Sequence, residues 1–233
     1  MAGEPGIGKT RLATEFADLA AADGTVLSAA CQQDVLLPYQ PFVEALRGAG
    51  LDWARVAAMP GAGELSRVIP ELPGEPDAPA GDAELQRYRL FEAIASLLDE
   101  IAARAPLALI LDDLHWADRG TLHLLRHVAR APRQASVLIL ATYRDAEVRP
   151  SHPLAELLAD LRRDGLVERI TLEGLEERDV GALITAHAGH VAPPSLVGTV
   201  HGHTDGNPFF VEEVLRHLIE SGVVFERGAL RPE

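Results

Sequence analysis

Eight consecutive residues near the start of the chain, Gly3-Glu4-Pro5-Gly6-Ile7-Gly8-Lys9-Thr10, limit its possible folds more than any other stretch. They match the pattern G-x-x-x-x-G-K-[ST] in full. Glycines at those positions remove Cβ atoms, so successive backbone N–H groups can turn inward and cradle phosphate oxygens. A helix starting near Lys9 would aim the positive end of its dipole at the same anion. Lys9 is the only lysine among 21 basic residues. A compact ammonium has been kept where a planar guanidinium would be too wide. The plain alternative, a Gly/Pro turn before an ordinary helix, is outweighed by the specificity of the full pattern. The pattern implies nucleotide binding through Gly3, Glu4, Pro5, Gly6, Ile7, Gly8, Lys9, Thr10 and the next residue, Arg11. Lys9 would reach the β- and γ-phosphates, and the Thr10 hydroxyl suits Mg²⁺.

Composition narrows the remaining choices. A chain of 233 residues with 47% hydrophobic content has enough material for a proper core in one or two domains. Its formal net charge of −14 argues against a grip on nucleic-acid phosphates, so no direct nucleic-acid contact is expected. The single cysteine, Cys31, excludes an internal disulfide framework and fits a reducing cytoplasm. No apolar run approaches a membrane span, and no membrane partner is expected.

In chain order, only Met1 and Ala2 precede the loop, whereas such a loop normally leaves a buried strand of about five residues. A missing first strand is therefore expected, from a fragment or a late start. Residues 9–22 read as a helix with Leu12, Phe16 and Leu19 on its inner face, and 25–30 as a short buried strand. A helix carrying Phe42, Val43 and Leu46 follows. Residues 60–81 are Pro/Gly-rich and read as a mobile surface excursion. Asp82 can start the next helix, with Leu85, Tyr88, Ile94, Leu98 and Ile101 as its apolar stripe.

Two continuous apolar runs, LALIL at 107–111 and SVLILAT at 136–142, flank a helix starting near Asp118, with Leu122, Leu125 and Val128 facing inward. Continuous rather than alternating strands separated by helices imply a parallel sheet covered on both faces. VERITL at 167–172 offers one more strand, and three helices follow at 179–188, 195–200 and 208–221. The fold class predicted is α/β, a three-layer P-loop NTPase sheet followed by a small all-helical domain. Its domains would be 1–174 and 175–222, with 223–233 opening a further unit.

Ligands of such sheets bind beyond the carboxyl ends of the strands, where the first run ends in Asp112-Asp113 and the second leads to Arg144. Asp112 would hold Mg²⁺ with Thr10, and Asp113 would orient or deprotonate the attacking water. A cation at Arg144 would tell ATP from ADP by direct charge contact. The catalytic set is thus Asp113, Lys9 and Arg144. Two histidine pairs, His123/His127 and His201/His203, lack the third ligand a metal site needs and read as solvated faces.

The segments GEPGIGKT, LALILDDLHWAD (107–118), ILATYRD (139–145) and TDGNPFFVEEVLRHL (204–218) together resemble the ATPase module of STAND-class P-loop NTPases. The likeness is greatest to the AAA-like domain of large ATP-binding LuxR-type regulators and related bacterial signalling proteins, and it includes PYQPFVEALR at 38–47. It implies that Asp112 and Asp113 are the Walker B pair and that Arg144 stands at the sensor position. It also implies that Gly206-Asn207-Pro208 is the family's G-x-P turn, with Pro208 packing on adenine; Pro opening a helix has a plain reading too. The second carboxylate is Asp113 where vigorous motors have Glu, which would suit slow or regulated hydrolysis. Effector, sensor and DNA-binding parts of such proteins would lie outside this chain.

Three functional readings follow. The first is a cytoplasmic, nucleotide-controlled signalling switch whose partners are ATP, ADP and Mg²⁺, with nucleotide-dependent self-association. The second is a cycling oligomeric AAA+ ATPase, for which Arg216 is the only sensor candidate on the last helix. The third is a nucleotide-binding fragment without hydrolysis. A small-molecule phosphotransferase fits poorly, because no arginine-rich lid is present.

Overall fold

The computed structural model describes residues 1–34, 37–73, 82–132, 135–189 and 191–220, with the backbone of two short strands beyond them. In chain order the first half contains β1 (Ala2–Gly3), α1 (Lys9–Ala20), β2 (Thr25–Ala30), α2 (Gln40–Gly48), α3 (Trp53–Ala57), α4 (Ala62–Leu65) and α5 (Ala83–Ala102). It continues with β3 (Leu107–Asp112), α6 (Arg119–Arg130), β4 (Val137–Ala141), β5 (Tyr143–Arg144) and α7 (Pro153–Arg163). Then come α8 (Glu177–Ala188), α9 (Pro194–Thr204), α10 (Pro208–Glu220), β6 (Val224–Glu226) and β7 (Ala229–Arg231). By compactness the chain divides into two units: Met1 with Thr10–Arg169, and Ala2–Lys9 with Ile170–Glu233.

The first unit is a parallel sheet in the order β2-β3-β4 with helices on both faces, the fold of a P-loop NTPase. Leu107 pairs with Thr25 on one side and Val137 on the other, so β3 is the central strand. Its apolar run is buried on both faces because each side chain meets covering helices rather than water. Asp112 is the last residue of that strand, and the chain leaves the core there. The helix expectations around it hold. Asp82 caps α5 through the Glu84 N–H, and Asp118 caps α6 through the Thr121 N–H. Phe42, Val43 and Leu46 of α2, Ile94, Leu98 and Ile101 of α5, and Leu122, Leu125 and Val128 of α6 are all buried.

Several expectations are corrected. On α1 Ala13 is buried and Phe16 half-buried, whereas Leu12 and Leu19 are exposed rather than inward. Leu85 and Tyr88 also lie outside the α5 stripe, in the helix's first turns. Residues 62–72 are not a surface excursion: Leu65, Ile69 and Leu72 are buried, and α4 packs against α5. The rest of that Pro/Gly-rich stretch, 74–81, lies outside the described residues, as do Ser221 and Val223. The β4 strand is only half-buried, with Leu138 exposed. Met1 pairs beside its end, accepting from the Tyr143 N–H and donating to the Ala141 carbonyl.

The second unit is mainly helical, with β6 and β7 paired antiparallel. Val180, Ile184, Leu196, Val197, Val200, Val211 and Leu215 of α8, α9 and α10 form its core. VERITL is not a continuous strand. It pairs only at one parallel bridge, Ala2 with Thr171, because a two-residue partner supports no longer ladder. No helix among the described residues is long and apolar enough to cross a membrane.

Candidate functional site

Within the second unit, the loop Gly3–Lys9 is built almost wholly from backbone. Gly6 (φ 77°) and Gly8 (φ 101°) lie in the left-handed region where a side chain is strained. A Cβ on Gly8 would meet no atom within 4 Å, whereas one on Gly6 would lie 2.6 Å from the Phe209 Cβ. Lys9 is buried and folds back on its own loop. Its Nζ donates to the Gly3 carbonyl at 3.1 Å and the Glu4 carbonyl at 2.8 Å. Asn207, also buried, donates its amide to the Pro5 carbonyl at 3.0 Å and accepts the Phe209 N–H at 3.2 Å. The Phe209 N–H also reaches the Gly6 carbonyl at 3.3 Å. The turn before α10, with Pro208 as its first helical residue, therefore grips the loop backbone at two points. Gly206 permits the turn: a Cβ there would lie 2.1 Å from the Leu175 carbonyl oxygen.

Within the first unit, side chains do the positioning. The Thr10 hydroxyl donates to Asp112 Oδ2 at 2.7 Å across 102 residues of sequence. The other Asp112 oxygen takes the hydroxyl of Thr142, a fully buried residue just past β4. The same Thr142 oxygen accepts the Asp113 N–H at 2.9 Å. One hydroxyl thus fixes both members of the carboxylate pair. Asp113 adopts a left-handed backbone (φ 52°), which an aspartate tolerates better than most residues. It opens a short 3-10 turn, Leu114–Trp116.

Arg144 lies beside this turn. Its Nη1 donates to Glu147 Oε1 at 2.9 Å, its Nε is 3.9 Å from Asp113 Oδ1, and its guanidinium carbon sits 5.1 Å from the Trp116 ring centroid. The His115 side chain is wholly buried, with Nε2 3.4 Å from Glu147 Oε2 and Nδ1 3.8 Å from Asp113 Oδ1. The acidity of this strand end is felt by Cys31, which follows β2. Burial, then Asp113, Asp118, Asp112 and Glu44, push its thiol from 9.0 to about 12, so it stays protonated at neutral pH.

The sequence-predicted residues therefore gather in two groups. Thr10, Asp112, Asp113 and Arg144 meet in the first unit, and Gly3–Lys9 with the Pro208 turn in the second. Arg11 joins neither: its side chain is exposed and paired with Glu15 one helical turn on. Sequence reasoning missed Thr142, Glu147 and Asn207 as positioning residues, and assigned His115 only to packing. No group of three metal-ligating side chains occurs among the described residues. His127 is half-buried against Tyr88 and Phe91 and lies 2.8 Å from Glu92 rather than on a solvated face. An uncharged hydroxyl beside a carboxylate oxygen is a hard-oxygen pair of the kind Mg²⁺ takes, and the bare backbone at Gly8 leaves room for a phosphate.

A family model described as the AAA ATPase domain matches residues 1–140. No curated protein sequence matches the chain. Among solved structures, a RuvB point mutant from Thermotoga maritima is similar, with a TM-score of 0.51 and 14% identity, over 99% of this chain and 57% of that one. A Signal Transduction ATPase with Numerous Domains (STAND) protein with a tetratricopeptide repeat sensor, from Pyrococcus horikoshii, has a TM-score of 0.50 and 16% identity. That likeness covers 92% of this chain and 26% of the other. The chain thus spans little more than half of one structure and about a quarter of the other, and these likenesses speak to fold alone.

Proposed function

The chain belongs to the AAA ATPase domain family, and from that premise we propose that it is the ATP-operated switch of a cytoplasmic signalling protein of the LuxR-type regulator kind. It binds Mg·ATP and hydrolyses it slowly. The observation that supports this most is the Thr10–Asp112 hydrogen bond, which ties the first turn of α1 to the carboxylate end of β3. Residues 1–174 form the nucleotide-binding domain in this reading and 175–222 the helical domain. Effector and sensor parts belong to other segments, and self-association depends on the bound nucleotide.

The roles divide by residue. The backbone N–H groups of the glycine loop, other than at Pro5, and the Lys9 ammonium hold the β- and γ-phosphates, so Lys9 must leave the Gly3 and Glu4 carbonyls for the nucleotide. Thr10 and Asp112 would hold Mg²⁺, which offsets the charge developing on the phosphates. Asp113 accepts a proton from, or orients, the water that attacks phosphorus. Pro208 meets the base, and Arg144 reads the γ-phosphate. Aspartate at position 113 reaches less far than glutamate would, which suits slow turnover.

The test is equilibrium binding of Mg·ATP with single-turnover hydrolysis for the wild type, Lys9→Ala and Asp113→Asn. Lys9→Ala should weaken binding by about a hundredfold, roughly 2.7 kcal/mol. Asp113→Asn should bind at least as tightly as the wild type does and lose hydrolysis. Equal affinity of wild type and Lys9→Ala would overturn the reading.

A further inference from the structure

The 3-10 turn Asp145–Glu147 returns Glu147 over Arg144 at i, i+3 spacing, and the pair is made at 2.9 Å. Asp145 is not a rival for the same cation, since it pairs with Arg169. Four side chains then close a ring in which Arg144 touches Asp113 and Glu147, and His115 touches the same two carboxylates from the buried side. Trp116 covers one face of the guanidinium. Two carboxylates thus face one arginine, with a third, Asp112, next in sequence to Asp113. Before any nucleotide arrives, the cation that should attract a γ-phosphate is more than neutralised by its neighbours.

We propose that Glu147 is a positioning residue for Arg144: a built-in counter-ion that competes with the γ-phosphate for the guanidinium and so sets how strongly the site prefers ATP over ADP. This rests on the reading of Arg144 as the γ-phosphate contact. Glu147 sits on a half-exposed turn, so its carboxylate can swing to water when the guanidinium is taken. Exposed Arg–Glu pairs are weak, and a phosphate can displace one at small cost. Asp113 stays held through its backbone N–H by Thr142 during the exchange. The counter-ion therefore costs ATP affinity without disturbing the carboxylate pair. ADP, lacking the γ-phosphate, does not compete with Glu147 at all.

The test is the ratio of Mg·ADP to Mg·ATP dissociation constants, measured on the full chain for wild type, Glu147→Gln, Arg144→Ala and the double variant. A non-hydrolysable ATP analogue serves as the triphosphate. Glu147→Gln removes one negative charge while keeping size, and should tighten triphosphate binding by about fivefold with ADP unchanged. Arg144→Ala should lose the preference for triphosphate, and the double variant should match Arg144→Ala. Glu147→Asp, which keeps the charge, should stay nearer the wild-type ratio than Glu147→Gln does. If Arg144→Ala loses the preference but Glu147→Gln leaves it unchanged or lowers it, the counter-ion role is overturned and the Arg144 reading stands. If Arg144→Ala leaves the ratio unchanged, the Arg144 reading fails and the counter-ion role with it. A general loss of stability would move both nucleotides together and could not produce the expected split.

Discussion

The glycine loop and the carboxylate strand end solve the same problem, holding charge-bearing groups in fixed places, by opposite means. The loop does so with backbone: left-handed glycines, carbonyls that receive Lys9, and a turn that grips it at Pro5 and Gly6. The strand end does so with side chains: Thr10 and Thr142 fix Asp112, and Arg144, Glu147 and His115 surround Asp113. A backbone device fails when an atom is added, because its shape is the function. A side-chain device fails when an atom is removed, because its hydrogen bonds are the function. Substitutions that add or remove single groups should therefore separate the two.

Adding a methyl group at Gly6 should have the largest effect on stability. The residue would be held at φ 77° with its Cβ 2.6 Å from that of Phe209 and 3.0 Å from the Asn207 amide oxygen. Left-handed strain and overpacking together should cost about 3 kcal/mol. Gly8→Ala is the control: its Cβ meets nothing within 4 Å, so stability should fall by the strain alone while nucleotide affinity suffers more. Thermal or urea unfolding of the two variants checks this. Equal losses at Gly6 and Gly8 would mean that the grip of the α10 turn on the loop does not matter for stability.

Removing a hydroxyl at Thr142 should have the next largest effect. Thr142→Val keeps the shape of a fully buried side chain, leaves the Asp113 N–H without its acceptor, and takes one donor from Asp112. A buried unsatisfied group of this kind costs about 2 kcal/mol. Hydrolysis should drop further than Mg·ATP affinity, because Asp113 loses its anchor while the loop keeps its shape. Unfolding midpoints and single-turnover rates of the variant measure the two consequences. A variant as stable and as active as the wild type would show that Asp112 and Asp113 are placed by strand β3 alone.

The difference between the two devices also explains what could be read from sequence. The loop is written in consecutive residues, because a backbone cradle must be local, and its extent was legible in full. Asp112 and Asp113 were legible because an apolar strand ending in carboxylates is a local signal too. Thr142 was not, since a threonine past a strand has many uses and only the pairing of β3 with β4 brings it to Asp112. Glu147 and Asn207 escaped for the same reason: the first depends on a 3-10 turn, the second on a contact spanning 202 residues. Exposure was the weakest expectation. Leu12 and Leu19 fit a helical stripe with Phe16 by spacing, but both are exposed, and the buried apolar residue of α1 is the small Ala13, which spacing of large side chains does not select. Residues 62–72 looked like a surface loop because prolines and glycines frame them, and their buried Leu65, Ile69 and Leu72 follow no long periodic pattern.

Asn207 gives the smallest effect and the finest division, because it belongs to both kinds of device. Its amide oxygen caps α10 through the Phe209 N–H, while its amide nitrogen holds the Pro5 carbonyl. Asn207→Ser keeps a cap acceptor and loses the donor to the loop, which should cost about 1 kcal/mol. Asn207→Ala loses both, and the further cost of the cap should be about 1 kcal/mol more. If the loop depends on this grip, the serine variant should already show weaker Mg·ATP binding, and the alanine variant should add only instability. Binding and unfolding measured on both variants decide it. A serine variant with unaltered affinity would make the loop self-supporting, held by Lys9 and its own glycines, and would reduce the α10 turn to a neighbour.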